Sequence, residues 1–125
     1  MKNQTLFVVA LLFTTAIFSQ QSKYYSDPQE KFKEAKEYFQ KEQYGLAYPL
    51  LKELQQAVRE TDKASHTIVV QEINYYTIAC ALKQNETRSE ELAIDYIALE
   101  KNTPRVQMMS FHLGEYYYRD RKSVV

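Results

Sequence analysis

Two histidines, one cysteine and a few closely spaced carboxylates are the residues of this sequence equipped to do chemistry. His66 and His112 could ligate a metal or move protons near neutral pH. Cys80 could act as a nucleophile, and Glu34 with Glu37, or Glu90 with Glu91, could form an acid/base pair. None has the company that chemistry demands. A zinc site gathers three or four His, Cys or carboxylate ligands at close spacing, and neither histidine has a Cys or suitably spaced carboxylate nearby. His66 reads as a solvated residue near a helix start, and His112 as one of a core-facing row. Cys80 sits within Ile78-Ala79-Cys80-Ala81-Leu82, an apolar setting for a buried structural thiol, and as the single cysteine it can form no intramolecular disulfide. The paired glutamates fall on solvated helix faces. The only glycines, Gly45 and Gly114, cannot build a phosphate loop, and no Ser or Thr stands in a nucleophile motif. The expectation is a protein with no catalytic residues, no metal and no cofactor.

The 125 residues suffice for one small domain. Met1-Lys2, the apolar run from Leu6 to Phe18 and the small Ser19 have the layout of a secretory signal peptide. That run is shorter than the roughly 20 residues of a membrane-spanning helix. Cleavage after Ser19 is expected, followed by a polar leader over 20–26. Removing 1–19 takes away one Lys and no acid, leaving 15 basic and 16 acidic residues. A nearly neutral, interspersed charge pattern argues against a nucleic-acid binder or a polybasic membrane binder.

Two Gly and three Pro are sparse punctuation for a sheet with many tight turns. The apolar spacing is helical throughout. Asp27-Pro28-Gln29-Glu30 has the chemistry of a helix start, with Asp27 as cap and Pro28 at the first position. Phe32, Ala35, Tyr38 and Phe39 follow at threes and fours, and this helix should stop near 41–43. A second helix carries Leu46, Ala47, Leu50, Leu51, Leu54 and Val58, and is expected to bend at Pro49. A third is expected over about 62–83, with Val69, Ile73, Ile78, Ala79 and Leu82. Thr87-Arg88-Ser89-Glu90 has capping-box spacing ahead of a fourth helix, with Leu92, Ala93, Tyr96, Ile97 and Leu99. Thr103, as cap, and Pro104 should open a fifth, containing Val106, Met109, Leu113, Gly114 and Tyr117. The fold class is all-α, built from antiparallel helix pairs.

The pairs repeat a pattern. Ala35, Tyr38, Ala47 and Leu51 give one register; Ala79 and Leu82 with Ala93 give a second; Gly114 and Tyr117 open a third. Ala79 to Gly114 is 35 residues, near the roughly 34 of a tetratricopeptide repeat. These residues resemble the tetratricopeptide family, most closely at Leu113-Gly114-Glu115-Tyr116-Tyr117-Tyr118, and Thr103 to Tyr117 resembles exported repeat proteins of Bacteroidota.

The resemblance implies a short right-handed superhelix, an α-solenoid over 27–122. Its units would span about 28–61, 62–102 and an incomplete 103–122, with a tail at 123–125. It implies packing through Ala35, Tyr38, Ala47, Ala79, Ala93, Gly114 and Tyr117. It also implies a peptide groove lined by first helices: Phe32, Lys36 and Phe39, then Tyr76 and Lys83, then Phe111, Glu115 and Tyr118. The function expected is a non-enzymatic scaffold, periplasmic or outer-membrane-associated, binding proteins or peptides of the cell envelope. The incomplete last repeat suggests the N-terminal part of a longer protein or a truncated reading frame. A spacer arm of a larger envelope protein and a helical carrier of apolar ligands are the rival readings.

Overall fold

A computed structural model describes residues 27–60 and 67–123 of the chain. The expected signal peptide over 1–19, the leader over 20–26, the start of the third helix, His66 and the last two residues lie outside the described residues. Among the described residues there are five helices and no strand: α1 (Pro28–Gln40), α2 (Tyr44–Glu60), α3 (Thr67–Gln84), α4 (Ser89–Leu99) and α5 (Thr103–Ser123). The chain divides into two units, Met1–Lys31 and Phe32–Val125. Of the first, the described part is the opening of α1. There the Asp27 carboxylate accepts the Gln29 N–H at 2.9 Å and the Asp27 carbonyl accepts the Lys31 N–H, so Asp27 and Pro28 take the expected places.

In the second unit α3 packs against α2, α4 and α5, and α5 also packs against α4. Two apolar clusters share α3 between them. The first joins Phe32 and Ala35 of α1 and Ala47, Leu51 and Leu54 of α2 to Ile73 and Cys80 of α3. The second joins Ile78, Ala79 and Leu82 of α3 to Ala93 and Tyr96 of α4 and Met109 of α5. Every residue from Thr77 to Leu82 is buried, the pattern of a helix covered on all sides. The Thr77 hydroxyl, buried in that run, donates to the Ile73 carbonyl at 2.7 Å.

α1 and α3 end in the same way. Glu42 (φ 57°) and Asn85 (φ 55°) are left-handed. After α1 the Gln43 N–H bonds the Tyr38 carbonyl and the Glu42 N–H bonds that of Phe39; after α3, Glu86 bonds Ala81 and Asn85 bonds Leu82. This paired bonding satisfies carbonyls that a helix end otherwise leaves open. Arg119 of α5 adds to it, donating to the Leu82 and Lys83 carbonyls at 2.7 and 2.9 Å.

Two expected caps shift. The capping box at Thr87 does not form: α4 begins at Ser89, and its cap is Arg88, left-handed at φ 64° with no side-chain capping bond. Arg88 is held by its bidentate pair with Glu91, at 2.8 and 2.9 Å. At α5 the cap is Asn102, one residue before Thr103; its side-chain oxygen accepts the Arg105 N–H at 3.1 Å. α2 runs on through Pro49, which sits four residues after Gly45 and leaves that carbonyl without its intrahelical N–H partner.

Candidate interaction surface

Four of the expected groove residues meet. Lys83 at the end of α3 and Phe111, Glu115 and Tyr118 on one side of α5 line a surface depression of about 410 Å3, together with Gly114 and Arg119. The α5 residues stand at spacings of four and three, so they share a face. Phe111 and Tyr118 are 60% and 63% exposed. Between them the Lys83 ammonium pairs with the Glu115 carboxylate at 2.5 Å, which holds the Glu115 pKa below the usual carboxylate range. The depression thus offers two exposed aromatic rings, Tyr118 with the Lys122 ammonium 5.3 Å from its ring centre, flanking an ion pair whose half-exposed carboxylate keeps acceptor capacity.

The other four serve the interior. Phe32 is buried, with its ring 6.0 Å from Tyr76, and Phe39 lies edge-on to Tyr76 at 5.0 Å and to Tyr44 at 5.3 Å. Lys36 places its ammonium 4.6 Å above the Phe32 ring. These aromatics lock α1, α2 and α3 together and present no open ring face comparable to Phe111. Of the eight residues expected to line one groove, these four therefore do not join the depression on α3 and α5.

The expected packing contacts divide likewise. Ala35, Ala47, Ala79 and Ala93 are fully buried. Tyr38 is half-buried and donates to Glu34 at 3.0 Å. Gly114 is exposed, and a Cβ there would meet nothing within 4 Å, so it is no site of close helix approach among the described residues. Tyr117 is 40% exposed and ties α5 to α4 through Glu90, at 2.6 Å.

Groups with catalytic potential bond to one another. Tyr75 and Glu115 flank His112 at 3.1 and 3.4 Å, an arrangement of tyrosine, histidine and carboxylate. Burial pushes the Tyr75 phenol up to about 12 and holds His112 below its ordinary value. A phenol that hard to ionise is no nucleophile at neutral pH, and the trio bridges α3 and α5 as a neutral phenol and a neutral imidazole beside an ionised carboxylate. Cys80 is fully buried and its thiol is pushed up to about 12 by burial, far from the thiolate that reactivity needs. Glu91 is committed to Arg88 and Glu90 accepts the Tyr117 hydroxyl. Among the described residues no group of three or more His, Cys, Asp or Glu could hold a metal ion.

One feature escaped the sequence reading. A valley of about 600 Å3 runs across α2, α3 and α4. Its walls are Lys52 and Arg59 on one side and Leu92 and Leu99 on the other, above a floor including Asn74 and Ile78. The side chains come from three helices, and Gln55 meets Asn74, 19 residues on, at 2.6 Å. No local motif announces such a surface.

No family model matches this chain, and no curated protein or solved structure matches it.

Proposed function

We propose that this chain is a non-enzymatic protein-interaction scaffold of the cell envelope, with helix pairs stacked in the tetratricopeptide manner, and that it forms the N-terminal part of a longer protein. The observation that carries the reading is the depression in which Lys83, Phe111, Glu115 and Tyr118 converge. Exposed aromatics beside an ion pair are the means by which helical scaffolds grip peptide segments. The stacking is supported by α3, which touches the helices before and after it, by four fully buried alanines, and by the shared turn that ends α1 and α3. Export is supported by the charged, apolar and small-residue layout of 1–19. Among the described residues no helix is long and apolar enough to cross a membrane.

The test is a Phe111→Ala, Tyr118→Ala double variant of the full chain, used as bait against envelope extract beside the parent. A specific partner held by the parent should be lost by the variant while helical content stays unchanged. A partner held equally by both would reject the depression as the binding surface. Lys36 and Glu115 are less suitable targets than their charge suggests, because one covers Phe32 and the other is bonded to Lys83 and His112.

A further inference from the structure

The valley across α2, α3 and α4 shares no lining residue with the depression on α5, and its charge layout is asymmetric. On the α2 rim Lys52 and Arg59 are exposed and lie two helical turns apart, and no α2 carboxylate whose side chain is described lines the valley. On the α4 rim Leu92, Asp95 and Leu99 follow at threes and fours, with Leu92 44% and Leu99 80% exposed. The other carboxylate of that rim, Glu100, is already engaged: it accepts the Tyr96 hydroxyl and the N–H groups of Lys101 and Asn102, all within 2.9 Å. One wall is therefore cationic, whereas the other presents two exposed leucines and two acids, Asp95 and the engaged Glu100, with Lys101 at its end.

We infer that this valley is a second docking surface, and that its occupant is an acidic amphipathic helix of another polypeptide. Charge complementarity fixes the chemistry. Carboxylates on one side of the helix meet Lys52 and Arg59, and leucine-like side chains on the other cover Leu92 and Leu99. Asp95 and Glu100 outweigh Lys101 on the α4 wall, while Lys52 and Arg59 stand on the α2 wall, so the helix seats with its acidic side toward α2. The floor selects a helix over an extended strand. Ile78 and Ala81 offer no side-chain hydrogen bonds, and the amides of Gln55 and Asn74, partly committed to each other at 2.6 Å, form one isolated polar spot with no ladder of donors and acceptors. A strand would leave backbone groups unmatched on such a floor, whereas a helix satisfies its own.

The probe is a fluorescein-labelled synthetic peptide of about four helical turns, with Glu along one face and Leu along the other, titrated with the full chain at low salt by fluorescence anisotropy. Saturable binding is expected. It should weaken at least about tenfold in Lys52→Glu, Arg59→Glu, and again on raising the salt through the screening range. It should also weaken in Leu92→Ala, Leu99→Ala. These four side chains are exposed, so far-ultraviolet dichroism should match the parent's in both variants. Phe111→Ala, Tyr118→Ala should bind the peptide as the parent does, which separates this surface from the depression on α5. No saturable binding, equal binding by the charge-reversed variant, or equal binding of a peptide with Lys in place of Glu would each overturn the inference.

Discussion

The Tyr75 hydroxyl lies 3.1 Å from Nε2 of His112, and the other nitrogen of that ring lies 3.4 Å from the Glu115 carboxylate. With the ring proton on Nδ1, the phenol donates to Nε2 and Nδ1–H donates to Glu115, so one neutral imidazole serves both sides. The ring is buried, and that desolvation holds its pKa below the ordinary histidine value.

A histidine of lowered native pKa binds its proton more readily when the chain is unfolded. Its contribution is full above the unfolded value of about 6.5 and declines as pH falls through it. Urea midpoints of the parent should therefore drop between about pH 8 and 5. His112→Leu should flatten that decline and, by leaving the Tyr75 hydroxyl unmatched, should cost about 1–3 kcal/mol at neutral pH. Parallel pH profiles for parent and variant would show that His112 is not the source.

Glu100 organises the corner between α4 and α5. Its side chain is 7% exposed and lies 3.7 Å from the Arg105 guanidinium. Bonds from the Asn102 N–H above all, with those from the Tyr96 hydroxyl and the Lys101 N–H, hold its pKa below the usual range. The native form is the more acidic, so its stabilisation is present above the ordinary carboxylate pKa and is lost as pH falls through the native one. Glu100→Ala should lower stability at pH 7 by about 1–3 kcal/mol in urea titrations. A smaller loss in strong acid, where the parent's carboxyl is protonated too, completes the expectation.

The small residues expected to space the helices should respond in opposite senses. Ala79 is fully buried in the second cluster, so Ala79→Leu should cost about 1–3 kcal/mol through overpacking. Gly114 is helical, exposed and clear of neighbours, so Gly114→Ala should gain roughly 0.5–1 kcal/mol from helix propensity. Thermal melts of both variants decide this. A destabilised Gly114→Ala would mean that a neighbour approaches there after all.

Cys80 should resist a thiol reagent. Its side chain is inaccessible and its pKa stands at about 12, so labelling under native conditions should proceed only through unfolding. The labelling rate should rise with urea in step with the loss of dichroism. Prompt labelling of the folded protein would contradict the buried placement.

The parts legible in the sequence were those written in short-range chemistry. Asp27 and Pro28 mark their helix start because a cap and a fixed φ are local properties. The four alanines announce themselves through apolar spacing, and Phe111, Glu115 and Tyr118 share a face through intervals of four and three. Arg88 was hidden because its left-handed backbone follows from the tight passage between α3 and α4, where no side chain caps the helix. Phe32, Phe39 and Tyr76 had the right spacing for a groove, yet spacing alone does not say whether a ring faces a ligand or a neighbouring ring. The valley rests on Gln55 meeting Asn74 and on Lys52 and Leu92 standing on different helices, relationships that exist only after folding.

Ring contacts run from Phe32 through Tyr76 to Phe39 and His112, and from Tyr76 through Tyr75 to Tyr96. They thread α1, α3, α4 and α5, in a chain with eleven tyrosines and no tryptophan. The molecule therefore carries its own optical gauge of docking. Near-ultraviolet dichroism arises from tyrosines set in mutual fixed orientation, so a single band follows whether four helices remain seated. A tryptophan placed at the exposed Phe111 would then report a surface event on a wavelength of its own.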